Sequence, residues 1–450
     1  MEIALPIATM TLNIHIPLPR SKLNQLQVSG SRLIRRIKSG VRPKTHTPRL
    51  PPSPPNKSRQ EVVESPIASD VSSQENTIVA IDEDQEENGI LTRIVTGLQG
   101  FLQPPETAKL FQGLTDSQIQ KAMEIIQRLS EDDLLWCALT QGRPLKRRRL
   151  PRVQLMLSQT TGVLPPHLEV TTSDRGQYVE RMGGQSNLFT AVFQGKKVAL
   201  KRMRVYLSMD QDQIRALKKQ VTLEAILWSQ LRHPNVLPFL GLESQGEDII
   251  PLIVLPWHDR GNVMLHMKCL EPPAPAAQLN KWIFQVTSGL DYLHEQEVVH
   301  GDLRCHNVLI SDDDTALLCD FGLSVFASDH SNNYSSQRGG HDRCMAPELM
   351  DPGKFGLVST RPTFASDVYS LGCLCYEIYT QTMPFELYNL VPCQRKILNG
   401  DRPDRPPRSD YPPISDEVWK ITEKAWGQQP SERPTANQVL LSLKKIVLHA

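Results

Sequence analysis

Nowhere in the chain does an unbroken apolar run approach the roughly 18 to 20 residues that a membrane-crossing helix requires. The opening MEIALPIATMTLNIHIPLP is partly apolar, but Glu2, Asn13, His15 and three prolines spoil it as an anchor. Paired cysteine spacing is absent too. The eight cysteines, at positions 137, 269, 305, 319, 344, 373, 375 and 393, contain no C-x-x-C and follow no secretory leader, so a reducing cytosol is the expected setting rather than a disulfide framework. No charge of one sign prevails: 50 Lys and Arg against 49 Asp and Glu leave a net +1, which points to neither a nucleic-acid nor a membrane partner. No internal repeat is visible, which removes repeat architectures. Glycine is outnumbered by proline, 25 to 35, and that balance marks a good part of the 450 residues as linker.

What is present is unevenly placed. Arg20 to Arg59 is almost purely basic and Glu61 to Glu87 almost purely acidic, with the blocks RPKTHTPRLPPSPP and IDEDQEEN between few large apolar residues. Such a segment cannot bury enough surface to offset its ordering entropy, so residues 1–88 are expected to be a disordered tail, with a mitochondrial transit role for SRLIRRIK as the lesser alternative. From Ile90 the pattern turns helical: Ile90, Leu91, Ile94, Val95, Leu98, Phe101 and Leu102 precede a PPE break. Thr115 with Gln118 forms a capping-box signal ahead of Ile119, Ala122, Met123 and Ile126, and Leu134, Leu135, Ala138 and Leu139 suggest a third helix. Residues 89–142 therefore read as a short helical segment that binds a protein partner or braces the domain C-terminal to it. Residues 143–167, with KRRRLPR, read as a linker that is solvated or carries a nuclear-import patch, so the expected location is cytoplasmic with the nucleus as alternative.

Beyond about Pro166 the composition becomes globular. QYVERM, LFTAVFQ and KVALKRM fit an antiparallel meander, and helices dominate from Gln211 onward apart from IIPLIVLPW and a few short segments. That layout is α+β, a small sheet lobe with one helix and then a larger, mainly helical lobe, over residues 168–447.

The period of two in KKVALK sends Ala199 and Lys201 to one face and Val198 and Leu200 to the other, which sets Lys201 beside a small apolar residue where an adenine ring could lie. Glu224, flanked in a helical pattern by Val221, Ala225 and Trp228, faces inward and needs a cation; Lys201 is the candidate. In VVHGDLRCHNVLI, Asp302 and Asn307 are five residues apart in a loop, where a carboxylate and an amide can face one phosphoryl group. CDFGL then supplies a second metal-ligating carboxylate, Asp320. Each fragment is weak alone, and their order and spacing make them strong together.

On these residues, with MAPEL (Ala346, Pro347, Glu348), SDVYSLGC (Asp367, Gly372) and AWGQQPSERPT (Arg433), residues 170–447 resemble a eukaryotic protein kinase domain of the tyrosine-kinase-like serine/threonine branch, in the fungal form with HGDLR in its catalytic loop. The resemblance implies an ATP-dependent, two-lobed serine/threonine kinase that uses Mg2+, or Mn2+ as an alternative, in intracellular signalling. It implies that Asp302 is the catalytic base, that Lys201 holds the α- and β-phosphates and pairs with Glu224, that Arg304 stabilises the γ-phosphate, and that Asn307 and Asp320 ligate the metal. Leu188, Ala199 and Leu309 would sandwich adenine. IVLPWHDRG would be the hinge, with Leu255 as gatekeeper and the backbone of Pro256 and His258 pairing with the base. It also implies a buried Glu348–Arg433 ion pair.

Three departures stand out. The phosphate loop keeps one family glycine, Gly183, with Arg181 and Ser186 at the other two places, although Gly183 and Gly184 still permit a hairpin. HGD lacks the arginine that reads a phosphorylated activation loop, although Ser324, Ser328, Ser331, Tyr334, Ser335 and Ser336 crowd that loop. His341 stands where serine/threonine kinases carry a hydroxyl residue, which leaves tyrosine as a possible acceptor. A pseudokinase scaffold is the alternative reading; a small-molecule phosphotransferase, which shares HGD and Asn, is disfavoured by the APE segment and the late arginine. Cys319, directly before DFG, is expected either to line the nucleotide pocket and be open to alkylation or to be a small buried core cysteine that reacts slowly.

Overall fold

Why the chain becomes helical where it does is decided by its end signals. The computed structural model describes residues 86–98, 109–140, 149–161, 163–176, 178–182, 186–206, 208–244, 249–322, 324–326, 342–407 and 412–449. α1 spans 86–98, and α2, Asp116–Glu131, starts at the expected capping box, with Gln118 N donating to Thr115 Oγ1 at 3.3 Å and Thr115 N to Gln118 Oε1 at 3.0 Å. α3 is Asp133–Thr140, and Asp132 Oδ1 accepts from Leu135 N at 3.0 Å in its first turn. The chain divides into two compact units: Gln85–Gln127 with Lys146–Ala450 forms one, and Arg128–Leu145 belongs to the other.

The stretch expected to be a linker is corrected by α4, Leu150–Thr161. Leu150, Val153 and Leu157 repeat at spacings of three and four and are buried, and Leu155 is buried as well. Pro151 sits in the first turn, where its missing N–H costs nothing. Arg149, directly before α4, is not only solvated: its guanidinium donates to Leu98 O at 3.1 Å. The apolar stripe is narrow and lies directly behind the four basic residues KRRR, whose charge masks its helical spacing.

The small lobe is a five-stranded antiparallel sheet, order β1-β2-β3-β5-β4. β1 is Arg181–Met182, β2 Ser186–Phe193, β3 Lys196–Met203, β4 Gly241–Glu243 and β5 Leu252–Pro256. Gln194 and Gly195, at φ 50° and 75°, turn β2 into β3 with two left-handed residues, the geometry that matches strand twist. The two faces then separate as the period of two requires. Phe189, Ala191, Val198, Leu200, Leu252 and Val254 make one apolar cluster, while Ala199, Ile253 and Leu255 join the main core. α5, Gln211–Ser229, crosses behind, opened by an Asp210–Gln213 capping box.

The larger lobe holds α6 (Val263–Lys268), α7 (Ala276–Glu295), α8 (Pro347–Met350), α9 (Phe364–Thr380), α10 (Leu390–Asn399), α11 (Asp416–Ala425) and α12 (Ala436–His449). Two small antiparallel ladders join them: β6 (Val298–Val299) with β9 (Val325–Phe326), and β7 (Val308–Ile310) with β8 (Ala316–Leu318). α9 runs through the centre, and Gly372 lets α11 come close: a Cβ there would stand 2.9 Å from Trp426 N. Arg433 closes this lobe. Its guanidinium meets both oxygens of Glu348, at 2.6 and 2.7 Å, and also donates to Ala365 O and Gly427 O.

Both members of that pair are buried, so removing one strands the other. Arg433→Ala is expected to cost about 3–5 kcal/mol of unfolding free energy, read from the urea midpoint. Glu348→Leu with Arg433→Met, which removes both charges, is expected to cost less. Equal losses would mean that packing, not the uncompensated carboxylate, sets the cost.

Candidate active site

β3 presents Lys201 on the face it shares with its register partners Leu188 and Ile253, and Ala199 opposite Leu255. From there Lys201 Nζ reaches Glu224 Oε1 and Asp320 Oδ1, each at 2.7 Å. Lys201 and Glu224 are buried, at 7% and 2% exposure; the Asp320 side chain, 45% exposed, opens on to the cleft. Burial works against the charge on Lys201, but the Asp320 and Glu224 carboxylates outweigh it and hold the ammonium above the ordinary lysine range. The same burial pushes the Glu224 carboxyl up, and Lys201 offsets this only in part. Desolvation would raise Asp320 as well, yet the lysine beside it keeps that carboxyl below its usual value.

One turn beyond Glu224 on α5, Trp228 packs on Phe321 with ring centroids 4.8 Å apart and planes tilted by 60°, and its Nε1 donates to Leu237 O at 2.6 Å. Phe321 in turn lies 5.3 Å from the His300 ring. Asp320, directly before Phe321, takes a left-handed backbone, φ 65°, and its carboxylate meets Lys201.

The loop that follows β6 is hung from α9. Asp367, buried, accepts from His300 N at 2.8 Å, from Gly301 N at 2.9 Å and faces His294 Nε2 at 2.9 Å. Gly301 sits at φ 80°, so glycine fits this bend without the strain a side chain would add. Both Nδ2 protons of Asn307 go to Asp302, to its carbonyl at 2.7 Å and its Oδ2 at 2.8 Å. The amide oxygen of Asn307, the atom a cation would take, is not used in these bonds. Arg304, expected at the γ-phosphate, is buried, and its charge acts on Glu377 of α9. Glu377 also accepts from Cys305 N at 2.9 Å and Cys344 Sγ at 3.4 Å. Sequence reasoning passed over Glu377; a lone acid in the apolar run LGCLCYEIYT was the available signal.

The far wall is apolar. Ala199 and Leu255 are buried, and Leu188 and Leu309 are half-buried. β5 ends at Pro256, and the next residues turn back: Trp257 N donates to Lys197 O at 3.4 Å and Gly261 N to His258 O at 3.1 Å. His258 Nδ1 is buried with no partner, and burial lowers that imidazole against the pull of Asp312, Asp313 and Asp259. Gly183, Gly184, His341 and, of the expected loop acceptors, Ser328, Ser331, Tyr334, Ser335 and Ser336 lie outside the described residues. Ser324 is described, and it is buried with its hydroxyl donating to His300 O at 2.8 Å, so it is no open acceptor.

The groups that face the cleft, the Lys201 ammonium, the Asp302 and Asp320 carboxylates and the Asn307 amide oxygen, suit nucleotide phosphates and a hard cation. Among the described residues no group of three or more His, Cys, Asp or Glu could hold a metal ion unaided.

A two-lobed fold with an ion-paired strand lysine and a helix-anchored H-G-D loop defines a protein kinase. The model of the protein tyrosine and serine/threonine kinase family matches residues 177–443, and the chain belongs to that family. It is similar to the serine/threonine/tyrosine-protein kinase HT1 of Arabidopsis thaliana, 25% identical over 266 residues, 58% of this chain and 64% of that one. It is similar also to the probable serine/threonine-protein kinase drkC of Dictyostelium discoideum, 27% identical over 58% of this chain and 33% of that one. Receptor-interacting serine/threonine-protein kinase 1 of Homo sapiens is 28% identical over 47% of this chain and 32% of its own length. The match to HT1 covers just under two thirds of that relative, and the others cover a third or less. Among the described residues no helix is long and apolar enough to cross a membrane.

Of the two readings of Cys319, the structure favours the buried core cysteine. It is 9% exposed, and burial first, then the Asp320 charge, pushes its thiol far above the ordinary range. A thiol-reactive adenine analogue at neutral pH is expected to modify the exposed Cys269 and leave Cys319 intact, as read by peptide mass mapping. Labelling of Cys319 that excess ATP prevents would contradict this.

Proposed function

We propose that the chain transfers the γ-phosphoryl group of ATP to serine or threonine hydroxyls of protein substrates in the cytoplasm, with tyrosine as a secondary acceptor. The observation that carries this reading is the Lys201 ammonium held at 2.7 Å by both Glu224 and Asp320, a charge poised where phosphates would lie. MgATP, when bound, supplies the phosphoryl group and a cation that neutralises its charge. Lys201 binds phosphate oxygens and Glu224 keeps it extended; Asp320 and Asn307 hold the cation. Asp302, steadied by Asn307 Nδ2, orients the acceptor hydroxyl and takes its proton at the carboxylate. Leu188, Ala199, Leu255 and Leu309 enclose the base, and the backbone at Pro256 and His258 offers it hydrogen bonds. Arg304, whose charge acts on Glu377 of α9, offers its guanidinium donors to the γ-phosphate. Names such as serine/threonine/tyrosine-protein kinase among similar chains favour hydroxyl acceptors of this kind.

The glycine-poor phosphate loop weakens ground-state affinity more than turnover, because the strong phosphate and metal donors come from the opposite side. Asp302→Asn is expected to abolish transfer to protein while leaving nucleotide affinity within about threefold, and Ser186→Gly to lower the KM for ATP by up to about tenfold. Both are read by γ-phosphate transfer at millimolar MgATP and by calorimetry. Equal background transfer from the wild-type chain and Asp302→Asn would favour a pseudokinase scaffold instead.

A further inference from the structure

α4 is shared between two sets of neighbours. Leu155, 3% exposed, enters the core cluster that contains Val221, Ala225 and Trp228 of α5. Gln154 Oε1 accepts from Gln230 Nε2, at the C-terminal end of α5, at 3.4 Å. The other side of α4 meets α1: a Cβ on Gly97 would stand 3.3 Å from Val153 Cγ2, and Arg149 holds the last carbonyl of α1.

α5 needs such support. Its first half, Gln211 to Gln220, is exposed or half-buried, and burial becomes nearly continuous only from Val221. On the cleft side it carries Glu224, but an ion pair taken out of water returns little net energy, and Glu224 Oε2 is buried with no partner. The Lys201–Glu224 contact therefore cannot hold the helix by itself. Apolar packing must do so, and α4, which packs directly against α5, carries Leu155 into the same core cluster.

We propose that α4, backed by α1, is a built-in positioning element for α5: docked, it keeps Glu224 on Lys201 and Trp228 on Phe321, and released, it uncouples both. The proposal rests on the phosphotransfer reading only for what the coupling achieves. Leu155 acts through α5 and is a positioning residue. It also gives the helical segment a role within the chain, set apart from binding a separate partner.

The test uses the full chain with Leu155→Ala, and Leu443→Ala in α12 as a control of the same chemistry in the same core cluster. Amide hydrogen exchange over 221–229 is expected to quicken about tenfold in Leu155→Ala and to stay within about twofold of wild type in Leu443→Ala. Phosphate transfer should fall about fivefold or more in the first variant alone, mostly in kcat. Should Leu155→Ala fail to fold, Gly97→Val, which presses α1 against Val153, is expected to act in the same direction at about threefold. Unchanged protection of 221–229 in the α4 and α1 variants, or equal acceleration in the α12 control, overturns the proposal. A wild-type chain that transfers no phosphate defeats the functional reading, and the exchange data still decide this one.

Discussion

Three charges share one small volume: the Lys201 ammonium, the Glu224 carboxylate and the Asp320 carboxylate. Such a group is stable only if each charge meets another at short range, since desolvation alone would neutralise or expel it. The constraint reaches far. β3 must keep a register that turns Lys201 inward, opposite Leu188 and Ile253. α5 must bring Glu224 to the same point, and the backbone at Asp320 must accept φ 65° to do likewise. Trp228 on Phe321 and Phe321 on His300 then carry the arrangement into the loop that α9 suspends through Asp367.

The departures from the family pattern look different once the backbone is known. Gly301, in place of the usual arginine, occupies a left-handed position that glycine adopts at no cost and any other residue adopts at about 1 kcal/mol. The loop gains its order from Asp367, which binds two of its N–H groups, and from Ser324, which binds the carbonyl of His300. None of these contacts calls for a phosphorylated residue.

How much of this was legible depended on the range of the interaction that decides each feature. The period of two in KKVALK set the faces of β3 correctly because alternation is local, and Thr115 with Gln118 marked the start of α2 for the same reason. The order of lysine, glutamate, aspartate and asparagine identified the lobes and paired Lys201 with Glu224; the contact of Asp320 with Lys201 was not legible, because it depends on the left-handed backbone at Asp320. α4 was missed because its apolar stripe follows four basic residues and has meaning only against α1 and α5. Cys319 stayed open between a reactive and a buried thiol because exposure and local charge, not sequence position, set a thiol's reactivity. Arg304 was placed by motif alone, and its neighbour Glu377 lies 73 residues away in the chain.

The central claim is that Lys201 and Glu224 act as one unit in holding nucleotide, and a double-mutant cycle addresses it directly. MgATP affinity would be measured by calorimetry for the wild-type chain, Lys201→Met, Glu224→Gln and the double variant. A coupling energy of at least about 1 kcal/mol is predicted, because either change alone should remove the function of the other. Losses that add to within about 0.5 kcal/mol would contradict the account, since the lysine would then hold phosphate without the helix.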